Sequence, residues 1–556
     1  MSESLKDPNF LIIVADDLGF TDVGCFGGEI KTPNLDKLGF DGLRFSGFHT
    51  ASACSPTRSM LFSGTDNHIA GLGQMAEFLK RFKDKQAFAK KPGYEGFLNW
   101  KVASLPEIIG NERYYNVISG KWHLGLDEEN WPNSRGFEKT FTLLPGAGNH
   151  YKKNVHFKDF LPFLYAENGK KLDPAVEIPD DFYSTEYFTS KFLENLKDKE
   201  ARKGRPFFGC LTYTAPHWPL QAPRETINKY KDVYADGPFE LRKRRLEKSK
   251  ELGIIDESTV AHLVETHKTK IWDELSEEEK KYDSRVMEAY AAMVDELDKN
   301  IGRVIDYLKE TGEFENTLIV FMSDNGAEGM LMEAMPNGWA HAKKIIEENY
   351  DNSYENIGNG DSFVYYGDLW AQAATAPRYM YKMWSSEGGI NCPLIFHYPK
   401  LHENWKGPKV IDQFCTVMDI VPTVLELLNI AHPAPNFKGR EIYPPRGKSW
   451  IPLLTGKSEN IYQDDEYVGW ELFGQRALRQ GRYKILYIPK PFGSGEWELY
   501  DIKTDPGETI KLNDVYPDIL DELVSKFSKY SYETGLVYFE PYDEDTKVNR
   551  RIIKDD

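Results

Sequence analysis

The amino-acid sequence describes an α/β protein built from one large domain and a smaller C-terminal one. Three observations carry this. Apolar runs of strand length at Asn9–Ala15, residues 206–213 and Thr317–Ser323 are continuous rather than alternating, as strands buried on both faces are. Helical segments separate them, most clearly over residues 285–310, where apolar side chains recur at the helical period. After Gly456 the pattern changes to short alternating runs, and 556 residues are too many for one ordinary core.

The first run, Asn9–Ala15, ends directly in Asp16 and Asp17, at the carboxyl end of a central strand, where open α/β sheets hold their ligands. Two adjacent carboxylates repel unless a cation sits between them. Residues 32–38 read as a short helix leading to a second strand at 45–49, which delivers the stretch 50–61. There Ser55 is placed to cap a helix whose first position is Pro56 and whose end is Gly64, so Cys54 lies at the entrance. The positive end of a helix collects anions and lowers a thiol's pKa. Leu105–Ile109 starts another helix, and the strand 115–119 stops at Gly120, ahead of Lys121 and His123. Two residues apart on an extended segment, these side chains point the same way, which suits an anion.

Residues 146–202 show no clear period and read as insertion loops with some helix. The strand 206–213 ends in the loop 215–219, where two prolines fix the backbone around His217. Residues 224–281 intersperse both charge signs and read as a solvated lid or surface helix pair. Beyond the long helix, Thr317–Ser323 brings Asp324 and Asn325 to the same sheet edge. A strand at 393–398 and a helix at 417–428 follow. The boundary after Gly456 divides the chain into domains 1–455 and 456–556: strands over 466–499, a helix at 520–530 and a polar tail from residue 540.

Composition narrows the function. Hydrophobic content of 40% and charged content of 28% are those of a globular protein, and a formal net charge of -18 argues against nucleic acid or an anionic membrane as partner. The five cysteines, Cys25, Cys54, Cys210, Cys392 and Cys415, are too scattered for a zinc site or a disulfide framework. The apolar run at 10–15 is too short for a signal core or a membrane span, so a cytoplasmic location is expected.

Cys54, Pro56 and Arg58 form a short pattern that needs partners elsewhere in the chain. Together with Asp16 and Asp17, Lys121 and His123, His217, Asp324 and Asn325, and Lys382, it resembles the type I, formylglycine-dependent arylsulfatases, closely so the bacterial ones. The likeness runs from about residue 9 to about 537 and is carried by segments 15–20, 54–60, 70–73, 120–125, 215–223 and 322–329. It implies an alkaline-phosphatase-like fold: a large mixed β-sheet sandwiched by helices, then a small domain with a four-stranded antiparallel sheet and a helix.

The resemblance also implies a chemistry, the hydrolysis of a sulfate monoester, an aryl sulfate giving a phenol and inorganic sulfate. A formylglycine-generating enzyme would convert Cys54 to formylglycine, whose hydrate attacks sulfur. Asp16, Asp17, Cys54, Asp324 and Asn325 would hold one Ca2+, with Mg2+ the runner-up, because hard oxygen donors dominate the set. Arg58 would steady the hydrate, Asp324 take the attacking proton, and Lys121 and Lys382 clamp the sulfate, while His123 bonds the second hydroxyl and His217 serves the leaving oxygen. The sequence departs from the family where Asn391 and Cys392 stand in place of the common arginine and valine. A phosphate or phosphonate ester hydrolase of the same superfamily is the alternative reading.

Overall fold

A computed structural model describes residues 7–553 apart from 80–84, 111, 153–162, 267, 269, 330–339, 403–404 and 540–550. Ten strands form the main sheet: β1 (Asn9–Ala15), β2 (Leu43–Phe45), β3 (Tyr115–Lys121), β4 (Lys139–Leu143), β5 (Tyr165–Glu167), β6 (Lys170–Lys171), β7 (Phe207–Thr212), β8 (Thr317–Ser323), β9 (Leu394–His397) and β10 (Val410–Ile411). Their spatial order is β10-β2-β9-β8-β1-β7-β3-β4-β5-β6. The centre is parallel, β8 to β4, and β9 runs antiparallel beside β8, so the sheet is mixed.

Continuous apolar strands need cover on both faces, and every residue of β1, β3, β7 and β8 is buried. The 34-residue helix Glu277–Glu310 supplies much of that cover, opened by a capping box in which Ser276 and Glu279 exchange bonds. Register then decides where chemistry falls. Ala15 pairs with Ser323 and Gly120 with Thr212, so Asp16, Asp324, Lys121 and the loop after β7 emerge abreast at one carboxyl edge.

Four elements differ from the sequence expectation. The strand at 45–49 is two: Phe48–His49 leaves the main sheet to pair with Cys415–Thr416. Gly47 makes the break, since a β-carbon there would lie 2.5 Å from the Gln413 carbonyl. The helix Cys54–Ser63 begins at Cys54 with Ala53 as cap, not at Pro56; a proline is tolerated anywhere in the first turn, whose N–H groups have no partner within the helix. Gly64 ends it at φ 69° as expected.

Residues 224–281 are anchored rather than solvated: on the helix Gly237–Glu251, Arg245 is buried and pairs with Asp22 and Glu29. The same region holds a strand, Val264–Thr266, paired antiparallel with Arg551–Ile553, while the rest of the expected polar tail lies outside the described residues. Within 146–202 the chain forms β5, β6 and the helix Ser184–Lys197, with 153–162 outside the described residues.

Strands Tyr467–Leu472, Gln475–Gln480, Tyr483–Tyr487 and Trp497–Asp501 form the antiparallel C-terminal sheet. The helix Pro517–Thr534 packs on it through Leu523, Phe527 and Tyr530. No helix among the described residues is long and apolar enough to cross a membrane.

Candidate active site

The carboxyl edge of the sheet brings together all the residues singled out above. Asp16, which follows β1, accepts both bonds of the Lys121 ammonium, at 2.9 and 2.7 Å. Asp17 turns back at φ 69°, a left-handed conformation that a non-glycine residue adopts only when its surroundings over-determine it. Its carboxylate receives Asn325 Nδ2 at 2.7 Å and Lys382 Nζ at 2.9 Å, and lies 3.5 Å from His217 Nε2. Arg58 donates Nε and Nη2 to Asp324 Oδ2, at 3.0 and 2.7 Å, and Nη1 to the Lys121 carbonyl at 2.9 Å. The guanidinium thus fixes the acid and the lysine strand at once.

Cys54 sits at the head of its helix, buried, with Sγ 3.4 Å from His123 Nδ1. Burial raises its pKa, but Lys121, His123 and Lys382 overcome that and bring it to about 7. His123, at φ 59°, has its other ring nitrogen 2.8 Å from Glu77 Oε1. Against burial, Glu77 and Cys54 hold the imidazole at about 9, so at neutral pH both nitrogens carry protons and both donate.

His217 differs. Its Nδ1 lies 2.6 Å from the Trp218 carbonyl, which can only accept, so Nδ1 bears the hydrogen and the neutral ring has a bare Nε2. Burial, with Lys382 and Lys121 beside it, pushes this imidazole well below its ordinary pKa against the pull of Asp17. Trp218 packs against the ring at 4.4 Å between centroids, tilted by 49°, and Phe363 backs the indole at 5.5 Å.

Two contributors carried no signal in the sequence. Glu77 belongs to a four-residue helix and Glu328 to a loop; nothing in the spacing tied them to His123 or Lys382, yet Glu328 Oε2 lies 2.9 Å from Lys382 Nζ. Single acids of this kind become visible only when the fold closes.

A metal ion suits this donor set. Ligand atoms of Asp16, Cys54 and Asp324 lie within 4.8 Å of one another, as do those of Asp16, Asp17 and His217. Burial, with Asp324 and Asp17 close by, pushes the Asp16 carboxyl well up against the pull of Lys121, whereas Lys382, His217 and Lys121 overcome burial at Asp17 and hold it at about 2. Asn325 Oδ1 is buried without a donor among the described residues, although its Nδ2 is fully engaged. An amide oxygen left over beside three carboxylates is what a hard cation would take up.

Comparison with known proteins identifies the family. Residues 8–430 match the sulfatase family model, and 377–532 match the C-terminal model of N-sulphoglucosamine sulphohydrolase. The chain is 36% identical to an arylsulfatase of Klebsiella aerogenes over 456 residues, covering 81% of this chain and 92% of that one. It is 52% identical to an uncharacterized sulfatase of Schizosaccharomyces pombe over 539 residues, 96% and 95% of the two chains. Among solved structures, one bound to a k-i-k-neocarrahexaose superposes at TM-score 0.64 with 22% identity over 97% of this chain and 95% of that one. A sulfatase from Pseudoalteromonas sp. does so at 0.57 with 18% identity over 98% and 92%. The chain belongs to the sulfatase family, and its enzyme class is that of the sulfuric ester hydrolases.

Proposed function

We propose that this protein hydrolyses aryl sulfate monoesters, with Cys54 matured to formylglycine and one Ca2+ held by Asp16, Asp17, Asp324, Asn325 and residue 54. The observation that carries the reading is the position of Cys54: buried at a helix head, it faces two lysines and a protonated histidine, beside three carboxylates. When present, the aldehyde hydrate supplies a hydroxyl nucleophile and the cation polarises it together with a sulfate oxygen.

The protein's own side chains do the rest. Sulfuryl transfer keeps negative charge on the non-bridging oxygens, so preorganised cations contribute most. Lys121 and Lys382 are held at the site by Asp16 and Asp17, and with His123 their charges lower the Cys54 pKa against burial. Asp324, steadied by Arg58, is the acceptor for the attacking proton. His123 Nδ1 donates toward position 54, its ring oriented by Glu77. Because Nδ1 of His217 is committed to a carbonyl, the ring can serve the leaving oxygen only through Nε2, which is bare in the neutral ring and must first take up a proton before it can donate one. The Trp218 ring beside it offers an apolar ledge for an aromatic leaving group.

The test begins with the mass of the peptide containing Cys54, from protein made in its own host. A peptide about 18 Da lighter than the thiol form is expected. That protein should turn over p-nitrophenyl sulfate faster than p-nitrophenyl phosphate, lose activity with EGTA and regain it with Ca2+, and be inactive as Cys54→Ala. Faster phosphate turnover would instead make it a phosphate or phosphonate ester hydrolase. The reading also requires a formylglycine-generating enzyme in the same cytoplasm, so coexpression with one should raise the modified fraction.

A further inference from the structure

A polar cavity of about 850 Å³ lies between residues 46–49, the loop 254–259 and the C-terminal sheet, and none of the active-site residues lines it. Its inner wall is built from buried charges. Glu387 accepts the Lys484 ammonium at 2.8 Å and lies 2.9 Å from His49 Nε2, while Glu508 stands 2.8 Å from the same ammonium. Arg378 and Arg479, 3% and 8% exposed, complete that wall. Asp412 lines the same cavity, so the charges there are close to paired, and what stands out is buried polar atoms left without a partner, which are costly.

These unpartnered atoms are localised. Arg378 lies flat over the Phe20 ring, and its Nε and Nη1 are buried with no acceptor among the described residues. Asn391 Oδ1, in the same wall and 3% exposed as a residue, has no donor among the described residues. Toward the mouth the lining changes to Asp412, Asp464 and the Tyr462 ring, groups that take hydroxyls and a sugar-like face.

We propose that this cavity binds a hydroxylated organic anion, its carboxylate or sulfate held by Arg378 and Arg479 and its hydroxyls by Asn391 and the acids near the mouth. Nε and Nη1 lie on different edges of the planar guanidinium, so each offers a single hydrogen bond to an oxyanion rather than a paired fork. The volume falls in the range of small-molecule sites, well beyond a bare inorganic ion. The site stands independently of the reaction proposed above. Its relation to the catalytic centre is through one loop, since Arg378 and Lys382 are four residues apart.

The experiment uses the full-length Cys54→Ala protein, so that nothing is turned over, titrated calorimetrically with D-glucuronate, D-glucose 6-sulfate and D-glucose. At least one anion should bind one to one and the neutral sugar should not. Arg378→Gln in that background should weaken the binding at least tenfold while inorganic sulfate still binds at the active site. Preference for glucuronate would make the occupant a carboxylate, and preference for glucose 6-sulfate a sulfate ester. A crystal of the Cys54→Ala protein soaked in the better anion provides a readout that does not depend on the variant's folding, with density expected against Arg378. Glucose binding as well as the anions, affinity unchanged by Arg378→Gln, or no density at Arg378 would each overturn the proposal.

Discussion

At the scale of single residues, the candidate site is a set of buried ions that hold one another in place, and each can be tested by its own chemistry. With Nδ1 of His217 fixed on the Trp218 carbonyl, the ring can assist only through Nε2, after taking up a proton there, and that matters only when the leaving oxygen needs a proton. His217→Ala should therefore slow alkyl-substituted phenyl sulfates far more than p-nitrophenyl sulfate, whose phenolate leaves unaided. A plot of log kcat/KM against leaving-group pKa should steepen, and a parallel line would remove His217 from proton transfer. Glu77 touches no reacting atom; it orients His123, so it is a positioning residue. Glu77→Gln keeps the shape and loses the charge, and should lower kcat by roughly 10-fold to 100-fold with KM little changed. Equal kcat in steady-state assays would show that the backbone alone orients His123.

At the scale of elements, the strands that present the site depend on glycine where two chains come closest. Gly120 sits in β3 at φ 127°, and a β-carbon there would lie 1.8 Å from the Thr212 carbonyl. Gly120→Ala should cost more than about 2 kcal/mol and misplace Lys121. Gly535→Ala is the control, because Gly535 also has positive φ, 70°, with ψ 28° in the left-handed region, but meets nothing within 4 Å, so it should cost only about 1 kcal/mol. Thermal unfolding of the two variants separates clash from backbone strain. These same elements show what a sequence discloses. β1, β7 and β8 were legible because burial on both faces imposes unbroken apolar runs, and the polar residues that follow them were legible because a strand's carboxyl end is where such residues have a use. β5, β6 and the helix Ser184–Lys197 were not, since they lie in a segment without period. The break at Gly47 and the partnership of Glu77 with His123 depend on contacts made across tens of residues, which no local pattern encodes.

At the scale of the whole molecule, the C-terminal sheet is joined to the main body by buried charge as well as apolar contact. Trp470 Nε1 donates to the Thr50 carbonyl at 2.9 Å, a few residues ahead of Cys54. Beside it, His68 lies between Asp66 Oδ1 at 2.9 Å and Glu471 Oε2 at 3.1 Å, and Tyr530 of the last helix donates to Asp66 Oδ2 at 2.8 Å. Burial would lower the His68 pKa, but its bonds to Asp66 and Glu471 overcome that and raise it from 6.5 to about 9. The folded state therefore binds this proton more tightly than the unfolded state. The resulting stability is fully present below pH ~6.5 and is lost as pH rises through about 9, on the order of 3 kcal/mol across that window. Asp66 is shifted the opposite way, below its ordinary value, so its contribution fades only in acid and leaves this window untouched. Urea unfolding of the intact chain at pH 6.5, 7.5 and 9 should show the decline, and His68→Gln should be less stable at pH 6.5 with a shallower slope. If wild type and variant lose stability in parallel, the proton at His68 is not what binds the C-terminal sheet to the body that holds Cys54.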